Sequence, residues 1–195
     1  MPPEHREPVR IGWDTAEMAA TSKLVVAALI VREGDVLLVR QQGRDDPTPY
    51  WAVPGGVVEQ GEFAHEALAR EVAEETGLTI AAPWRLSCVA QYEVAAGRRA
   101  DLWTALTFTT TAPPGDLKPA DPDGVVREVA WTPIHEAVRR LSAVEFAPMR
   151  EPTIHHLLRP TAEPTLWTWP SGVGEHPLVF PGGKQHIVRP HNQSR

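Results

Sequence analysis

The stretch GGVVEQGEFAHEALAREVAEETGL, residues 55–78, constrains the fold most because it joins a double glycine to an amphipathic helix. The pattern predicts a helix over residues 62–76 and a left-handed residue at Gly77, directly after its last turn. An α-helix turns about 100° per residue, so its small and apolar side chains gather in one sector. That sector contains Leu68, Ala69, Val72 and Thr76. It is expected to face a core.

Three carboxylates occupy the neighbouring sector of the same helix. Glu71, Glu74 and Glu75 fall within an arc of about 100°, together with the small residues Ala64 and Ala67. Like charges three and four residues apart repel each other, so something must offset that cost. A cluster of hard carboxylate oxygens suits Mg²⁺ or Mn²⁺. The alternative is a solvated acidic face, which is the usual fate of a charge run.

Composition limits the class of protein. The chain has 195 residues, 42% hydrophobic and 23% charged, which fits one globular domain. The net charge of -6, with no basic stripe, argues against a nucleic-acid partner. Cys88 is the single cysteine and is expected to be an inert core thiol in a reducing compartment. The longest apolar run, Leu24 to Val31, is too short for a membrane span, so no membrane partner and a cytoplasmic location are expected.

The order of predicted elements indicates three segments: a leader over residues 1–22, a domain over 23–159 and a Pro/Gly-rich tail over 160–195. We expect the tail to be extended, wrapping the domain or a partner, or to be partly disordered. The domain begins with a β-hairpin that turns at Gly34. The further predicted strands are 51–54, 85–94, 100–110 and 125–132, and the further predicted helices are 133–141 and 153–159.

The spacing of the glycine, acidic and basic residues matches a family signature, G-x5-E-x7-R-E-U-x-E-E-x-G-U, in which U is apolar. The matching positions are Gly56, Glu62, Arg70, Glu71, Val72, Glu74, Glu75, Gly77 and Leu78. The preceding YWAVPGG is also typical, and the strand order agrees from about residue 23 to 141. The chain therefore resembles the Nudix hydrolases (MutT-like pyrophosphohydrolases). The resemblance implies an α/β fold, an α/β/α sandwich around a mixed β-sheet.

The resemblance also implies a function, namely Mg²⁺-dependent hydrolysis of a nucleoside diphosphate linked to a further group. Nucleoside triphosphates, ADP-ribose and related nucleotides are the candidate substrates. In this family the signature acids, here Glu71, Glu74 and Glu75, hold the divalent cations, and the carbonyl of Gly55 completes the site. The cations lie between the carboxylates and the anionic substrate and lower the pKa of a bound water. The double glycine would let the backbone approach the metal.

The resemblance gives the remaining signature residues supporting and catalytic roles. Arg70 and Glu62 would form a pair that orients the carboxylates. The general base stays open between Glu74 or Glu75 and a later acid. The later candidates, each of which could also be an ordinary turn or surface residue, are Asp121, Asp123 and Glu128.

Substrate contacts outside the signature are open to more than one interpretation. Arg40 could reach a phosphate or form a surface ion pair, and Trp51 could stack on a base or pack in the core. Tyr92 lies in the region where subfamilies carry substrate markers. A homodimer is possible, as in other family members. A non-catalytic Nudix module that senses a nucleotide is the alternative function, and the complete set of signature acids favours the enzyme.

Overall fold

The structure is a computed structural model that describes residues 22–43, 48–80, 82–96, 99–112 and 115–181. Apart from Ser22, the predicted leader lies outside the described residues, as does the end of the predicted tail from residue 182 onward. Every helix in the described part of the chain is too short or too polar to cross a lipid bilayer.

The described strands form one mixed β-sheet. They are β1 (Ser22–Arg32), β2 (Asp35–Gln41), β3 (Tyr50–Ala52), β4 (Gly55–Val57), β5 (Arg85–Ala96), β6 (Arg99–Thr110), β7 (Val126–Pro133), β8 (Thr165–Thr168) and β9 (Leu178–Pro181). Their order is β3-β2-β1-β6-β5-β8-β9, with β4 also paired to β1 and β7 to β2. The β1–β6 and β5–β8 pairs are parallel and the others antiparallel. The helices are α1 (Ala64–Thr76), α2 (Ile134–Ser142) and α3 (Ala147–Leu158).

The first strand divides the sheet between two sets of partners. β1 and β2 form the predicted hairpin, whose turn residues Glu33 and Gly34 both have positive φ, 52° and 89°. β1 pairs with β2 only next to this turn, at Val31 and Arg32. Its earlier residues pair instead with β4 and β6. The separation of β1 from the far end of β2 leaves room for the cleft described below.

Alternation along β1 directs its side chains into two cores, one on each face of the sheet. Val26 and Ile30 pack with Leu68 and Val72 of α1. Leu29 packs on the other face with residues of α2 and α3, among them Leu141 and Leu157. Burying each large apolar side chain contributes about 1.5–3 kcal/mol, so both helical layers are tied firmly to the sheet. The predicted α/β sandwich around a mixed sheet is confirmed.

Two elements differ from their predicted form. The predicted helix over 153–159 begins earlier, at Ala147. Pro148 lies in its first turn, where proline is tolerated, and Pro152 lies inside the helix and is buried. The predicted extended tail contains β8 and β9, which add to the sheet beside β5. The side chains of Trp167 and Trp169 are buried there, so this part of the tail contributes to a core.

Candidate active site

Both ends of α1 are held by local contacts. At its start the carboxylate of Glu66 accepts a hydrogen bond from the Phe63 backbone N–H at 2.9 Å. At its end Gly77 is left-handed (φ 78°), as predicted, and its N–H donates to the Ala73 carbonyl. A Cβ at Gly77 would lie 2.6 Å from the backbone oxygen of Lys118, so only glycine fits there. The helix therefore presents its carboxylates from a fixed position.

The double glycine allows two close approaches, one to β1 and one to α1. A Cβ on Gly55 would lie 2.2 Å from the Val26 carbonyl oxygen. A Cβ on Gly56 would lie 2.3 Å from Oε1 of Glu71. The first glycine thus lets β4 lie against β1, and the second makes space for a carboxylate from α1. The structure gives this stretch a packing role, and the approach of the backbone to a metal stays a prediction.

Arg70 connects the loop before α1 to the helix itself. Its Nε and Nη2 donate to the two carboxylate oxygens of Glu62 at 2.9 and 3.0 Å. Its Nη1 donates to Glu71 at 2.8 Å and to Glu74 at 3.2 Å, and Nη2 also reaches the Val57 carbonyl. The hydrogen bond from Arg70 holds the pKa of Glu62 below its ordinary value. The pair predicted from the signature is present.

Glu75 is the most enclosed of the three signature acids, with 4% of its surface exposed. It accepts hydrogen bonds from the Gly55 N–H at 2.8 Å and from the side-chain amide of Gln41. Burial raises the pKa of Glu75 to about 8, and the nearby charges of Glu71 and Asp121 add to that rise. The helical pattern put Glu75 outside the sector expected to face a core, but the structure buries it because that side of α1 meets the ends of β2 and β4.

Glu71 and Glu74 share one nitrogen of Arg70, whereas Glu75 is held separately by Gly55 and Gln41. Among the described residues, no group of three acidic, histidine or cysteine side chains is arranged to hold a metal ion. The reason is that Arg70 binds Glu71 and Glu74, while Gly55 and Gln41 hold Glu75. Burial nevertheless raises the pKa of Glu71, despite its contact with Arg70, so its negative charge is only partly compensated.

Of the three later acids, the structure brings Asp121 closest to this network. Its carboxylate accepts hydrogen bonds from the N–H groups of Asp123, Val125 and Val126, as a turn residue does. Its charge still acts on Glu75. Asp123 is exposed, and Glu128 lies 3.8 Å from Arg40 in a surface ion pair.

An apolar cleft opens beside the carboxylates. It encloses about 90 Å³, and Gln41 and Gly55 line it on the side of α1. Its other walls include Tyr92, Thr107, Phe146 and Met149. A wider hollow of about 410 Å³ shares Phe146 and Met149 with it. The two hollows together form a groove that starts where Gln41 contacts Glu75.

The structure places the two predicted substrate contacts away from the carboxylates. Gln41 reaches Glu75, and because side chains alternate along a strand, the preceding residue Arg40 points to the other face of the sheet. Trp51 is the cross-strand partner of Arg40. The guanidinium carbon of Arg140 lies over the Trp51 ring, 4.3 Å from the ring centre. Both therefore belong to the α2 side, and this geometry does not support the predicted contacts.

Sequence reasoning passed over several residues of the groove. Strand alternation was a usable signal for Gln41. No local pattern marked Phe146 or Met149, which reach the groove only because α3 crosses it. The predicted core location of Cys88 is confirmed, since 1% of it is exposed and burial raises the pKa of its thiol.

Comparisons with known proteins agree with this architecture. A model of the NUDIX domain matches residues 21–157. The putative mutator protein MutT4 of Mycobacterium tuberculosis is 38% identical over 60% of this chain and 42% of its own length. The 8-oxo-dGDP phosphatase NUDT18 of Homo sapiens is 29% identical over 80% of this chain and 42% of its own length.

Solved structures give the same answer for the fold. The crystal structure of a MutT protein from Bacillus halodurans has a TM-score of 0.59 at 21% identity and covers 84% of this chain and 99% of its own. The chain spans less than half the length of the two curated relatives, 42% of each. The match of the family model to most of the sequence, together with the complete signature on α1, shows that this chain belongs to the NUDIX domain family.

Proposed function

We propose that this protein hydrolyses a phosphoric anhydride bond of a nucleotide derivative with a divalent cation, Mg²⁺ or Mn²⁺. The proposal depends above all on one observation, the contact of the Glu75 carboxylate with Gln41 and Gly55, which line a groove with apolar walls. A charged end and an apolar end in one groove suit a ligand that has both phosphates and a base.

The donor atoms suit a hard cation in their chemistry, and holding one requires Glu71 and Glu74 to leave Arg70. Glu71, Glu74, Glu75 and the carbonyl of Gly55 would hold it, all of them oxygen ligands. The space at Gly56, which a Cβ would fill, keeps the Glu71 carboxylate next to β4. A bound Mg²⁺ would neutralise phosphate oxygens and acidify a water.

Arg70 can serve two purposes in such a site. Its Nε and Nη2 hold Glu62, whereas only Nη1 contacts Glu71 and Glu74. The second set of contacts can therefore be broken while the first persists. In this proposal Arg70 neutralises the two carboxylates when no cation is bound and, with Glu62, orients the helix face when one is.

Side-chain exposure favours one of the signature acids as the general base. The Glu74 side chain is 33% exposed, against 14% for Glu71, so it can reach a water most easily. We propose Glu74 as the base. Glu75 is the second candidate, since a pKa of about 8 suits proton transfer near neutral pH. Asp121 is the third.

The groove and the name of one relative support a proposal for the substrate class. The human relative is named for action on 8-oxo-dGDP. In this chain the aromatic rings of Tyr92 and Phe146 provide apolar walls, and Gln41 and Thr107 provide polar atoms for the edge of a base. We propose an oxidised purine nucleoside di- or triphosphate as the first substrate to test, ahead of ADP-ribose.

A nucleotide-sensing module without catalysis is the second candidate function. The contacts of Arg70 with Glu71 and Glu74 favour it, because they compensate the carboxylates without a cation. A homodimer and a cytoplasmic location stay predictions as well.

The two functions are separated by a product screen of the purified protein over a nucleotide panel with Mg²⁺, Mn²⁺ or excess chelator. Glu74→Gln should abolish hydrolysis and leave the circular dichroism spectrum unchanged. Glu59→Gln is the matched control, because it removes an exposed charge from the same stretch. Full activity in chelator or in Glu74→Gln would contradict the metal mechanism, and nucleotide binding without turnover in the wild type would favour the sensing module.

A further inference from the structure

A second, polar cavity lies at the other end of α3 from the groove. It encloses about 150 Å³ and is lined by side chains that include Arg85, Ser87, Thr109, His156 and Thr161. None of these belongs to the signature or to the groove. We propose that this cavity binds a phosphate-type oxyanion, either inorganic phosphate or the terminal phosphate of a phosphomonoester.

A β-bulge builds one wall of the cavity. The register between β5 and β6 shifts between Leu86 and Cys88, so Ser87 is the extra residue of β5. Cys88 contacts Thr107 across the strands, and Ser87 contacts Thr109 on the same face. The bulge thus turns two consecutive side chains toward α3, which a regular strand cannot do. Ser87 is 4% exposed, so its hydroxyl is committed to this buried wall.

The hydroxyls and the imidazole form a chain with one free donor. Ser87 contacts Thr109, and the Thr109 hydroxyl lies 3.3 Å from Nε2 of His156. If Nε2 carries a proton, it donates to Thr109, Thr109 donates to Ser87, and the Ser87 O–H is left to donate into the cavity. An acceptor in the cavity stabilises this direction of the chain. An anion with several oxygens can accept from Ser87 and from Arg85 together.

The charge around the cavity is positive although the chain as a whole is acidic. Arg85 lies at the mouth, where its Nη2 donates to the Ala162 carbonyl at 3.0 Å. Burial lowers the pKa of His156, and the neighbouring charges that lower it further are those of His155 and Arg85. The pKa of His155 is lowered in the same way by burial and by Arg159. Among the described residues, the charged groups that act on the two histidines are all basic: Arg85, Arg159 and His155 itself. A bound anion would relieve the repulsion between these basic groups.

The chemistry selects phosphate over a simple carboxylate. The Arg85 guanidinium lies at the mouth and the Ser87 hydroxyl in the buried wall, so a tetrahedral anion with oxygens in several directions suits them better than a planar one. The volume is several times the roughly 30 Å³ that one water occupies, so a phosphate group has room.

The test is a titration of the full-length protein with inorganic phosphate in excess chelator, which suppresses cation-dependent phosphate binding at α1. Heat of binding and the side-chain resonances of His156 are followed together. We expect a dissociation constant on the order of 1 mM, a shift of the His156 resonance, and at least about tenfold weaker binding in Arg85→Ala and Ser87→Ala. Arg139→Ala, which removes an exposed arginine from α2, is the matched control and should bind as the wild type does.

Further ligands identify the source of the phosphate group. Binding of both phosphate and a nucleoside monophosphate would assign a phosphomonoester, and binding of phosphate alone would assign the free ion. Acetate binding as tightly as phosphate, equal phosphate affinity in Arg85→Ala and Arg139→Ala, or an unmoved His156 resonance at saturation would each overturn the proposal. Arg85 is exposed, so its variant should fold even if Ser87→Ala does not.

Discussion

The charged network on α1 and the groove beside it are built from the chain in different ways. Apart from Gln41, every side chain and backbone group of the network comes from residues 55–75, at spacings set by one helix and the loop before it. The walls of the groove come from elements that are far apart in sequence: β1, β2, β3, β4, β5, β6 and α3. The difference suggests that the chemistry is encoded locally, whereas substrate choice depends on how distant elements meet.

After Glu74→Gln, the largest effect is expected from Glu75→Gln, which keeps the shape of the network and removes its buried charge. We expect hydrolysis to fall by about 10²- to 10⁴-fold, because the charge is needed for a cation or for proton transfer. Turnover at saturating substrate and Mg²⁺ is the measurement. Activity within a few-fold of the wild type would show that the network works without this carboxylate.

The same variant has an opposite effect on stability in the absence of metal. The pKa of Glu75 is raised to about 8 from 4.5, so between these values the folded protein is protonated there and the unfolded chain is ionised. The wild type therefore loses stability as pH rises from about 4.5 to 8, and Glu75→Gln does not share that loss. Its advantage should grow to on the order of 5 kcal/mol above pH 8, measured by urea unfolding in chelator.

Substitutions at Gly55 and Gly56 should affect stability and turnover differently. Gly55→Ala would collide with the β1 backbone, so we expect a loss of about 2–4 kcal/mol in the free energy of unfolding. Gly56→Ala would collide with the Glu71 carboxylate, which can move. We expect it to cost about 1 kcal/mol and to lower turnover by roughly tenfold or more. Thermal unfolding and turnover are measured on both variants. A larger loss of stability in Gly56→Ala than in Gly55→Ala would contradict the assigned roles.

A substitution in the wall of the groove should change substrate selectivity and leave turnover nearly constant. Met149→Ala removes one wall shared by the two hollows and leaves the α1 network intact. We expect the ratio of kcat/KM between the best nucleotide and a smaller analogue to change by about 10-fold, with kcat nearly constant. An equal fall of kcat for all substrates would place Met149 in a structural role. Leu158→Ala, at an exposed position of the same helix, is the control.

The smallest effect is expected at Arg40, a predicted substrate contact that lies on the α2 side of the sheet. Arg40→Ala should leave kcat/KM within about twofold, since a surface ion pair contributes about 0–1 kcal/mol. Gln41→Ala, one residue further along β2, should lower it by about fivefold through the lost contact with Glu75. If Arg40 proved more important than Gln41, the assignment of strand faces at the site would be wrong.

The sequence predicted most elements of the fold because their signals are local. The hairpin turn needs Gly34, the end of α1 needs Gly77, and apolar β-branched runs mark the two hairpin strands. The start of α3 at Ala147 was harder to predict because its prolines suggest a break in the helix. The strands β8 and β9 were harder to predict because they are short. Those strands are stabilised by β5 and by buried tryptophans, which local propensity does not report.

By itself the sequence determined the acidic helix, the pairing of Arg70 with Glu62 and the membership of the NUDIX family, because each depends on spacing along a few turns. Tertiary structure alone decided that Glu75 is buried, that Gln41 and not Arg40 reaches it, and that Phe146 and Met149 form a wall of the groove. The physical reason is that burial and charge compensation depend on which distant surfaces meet. A helical period fixes the direction of a side chain but not what it will face.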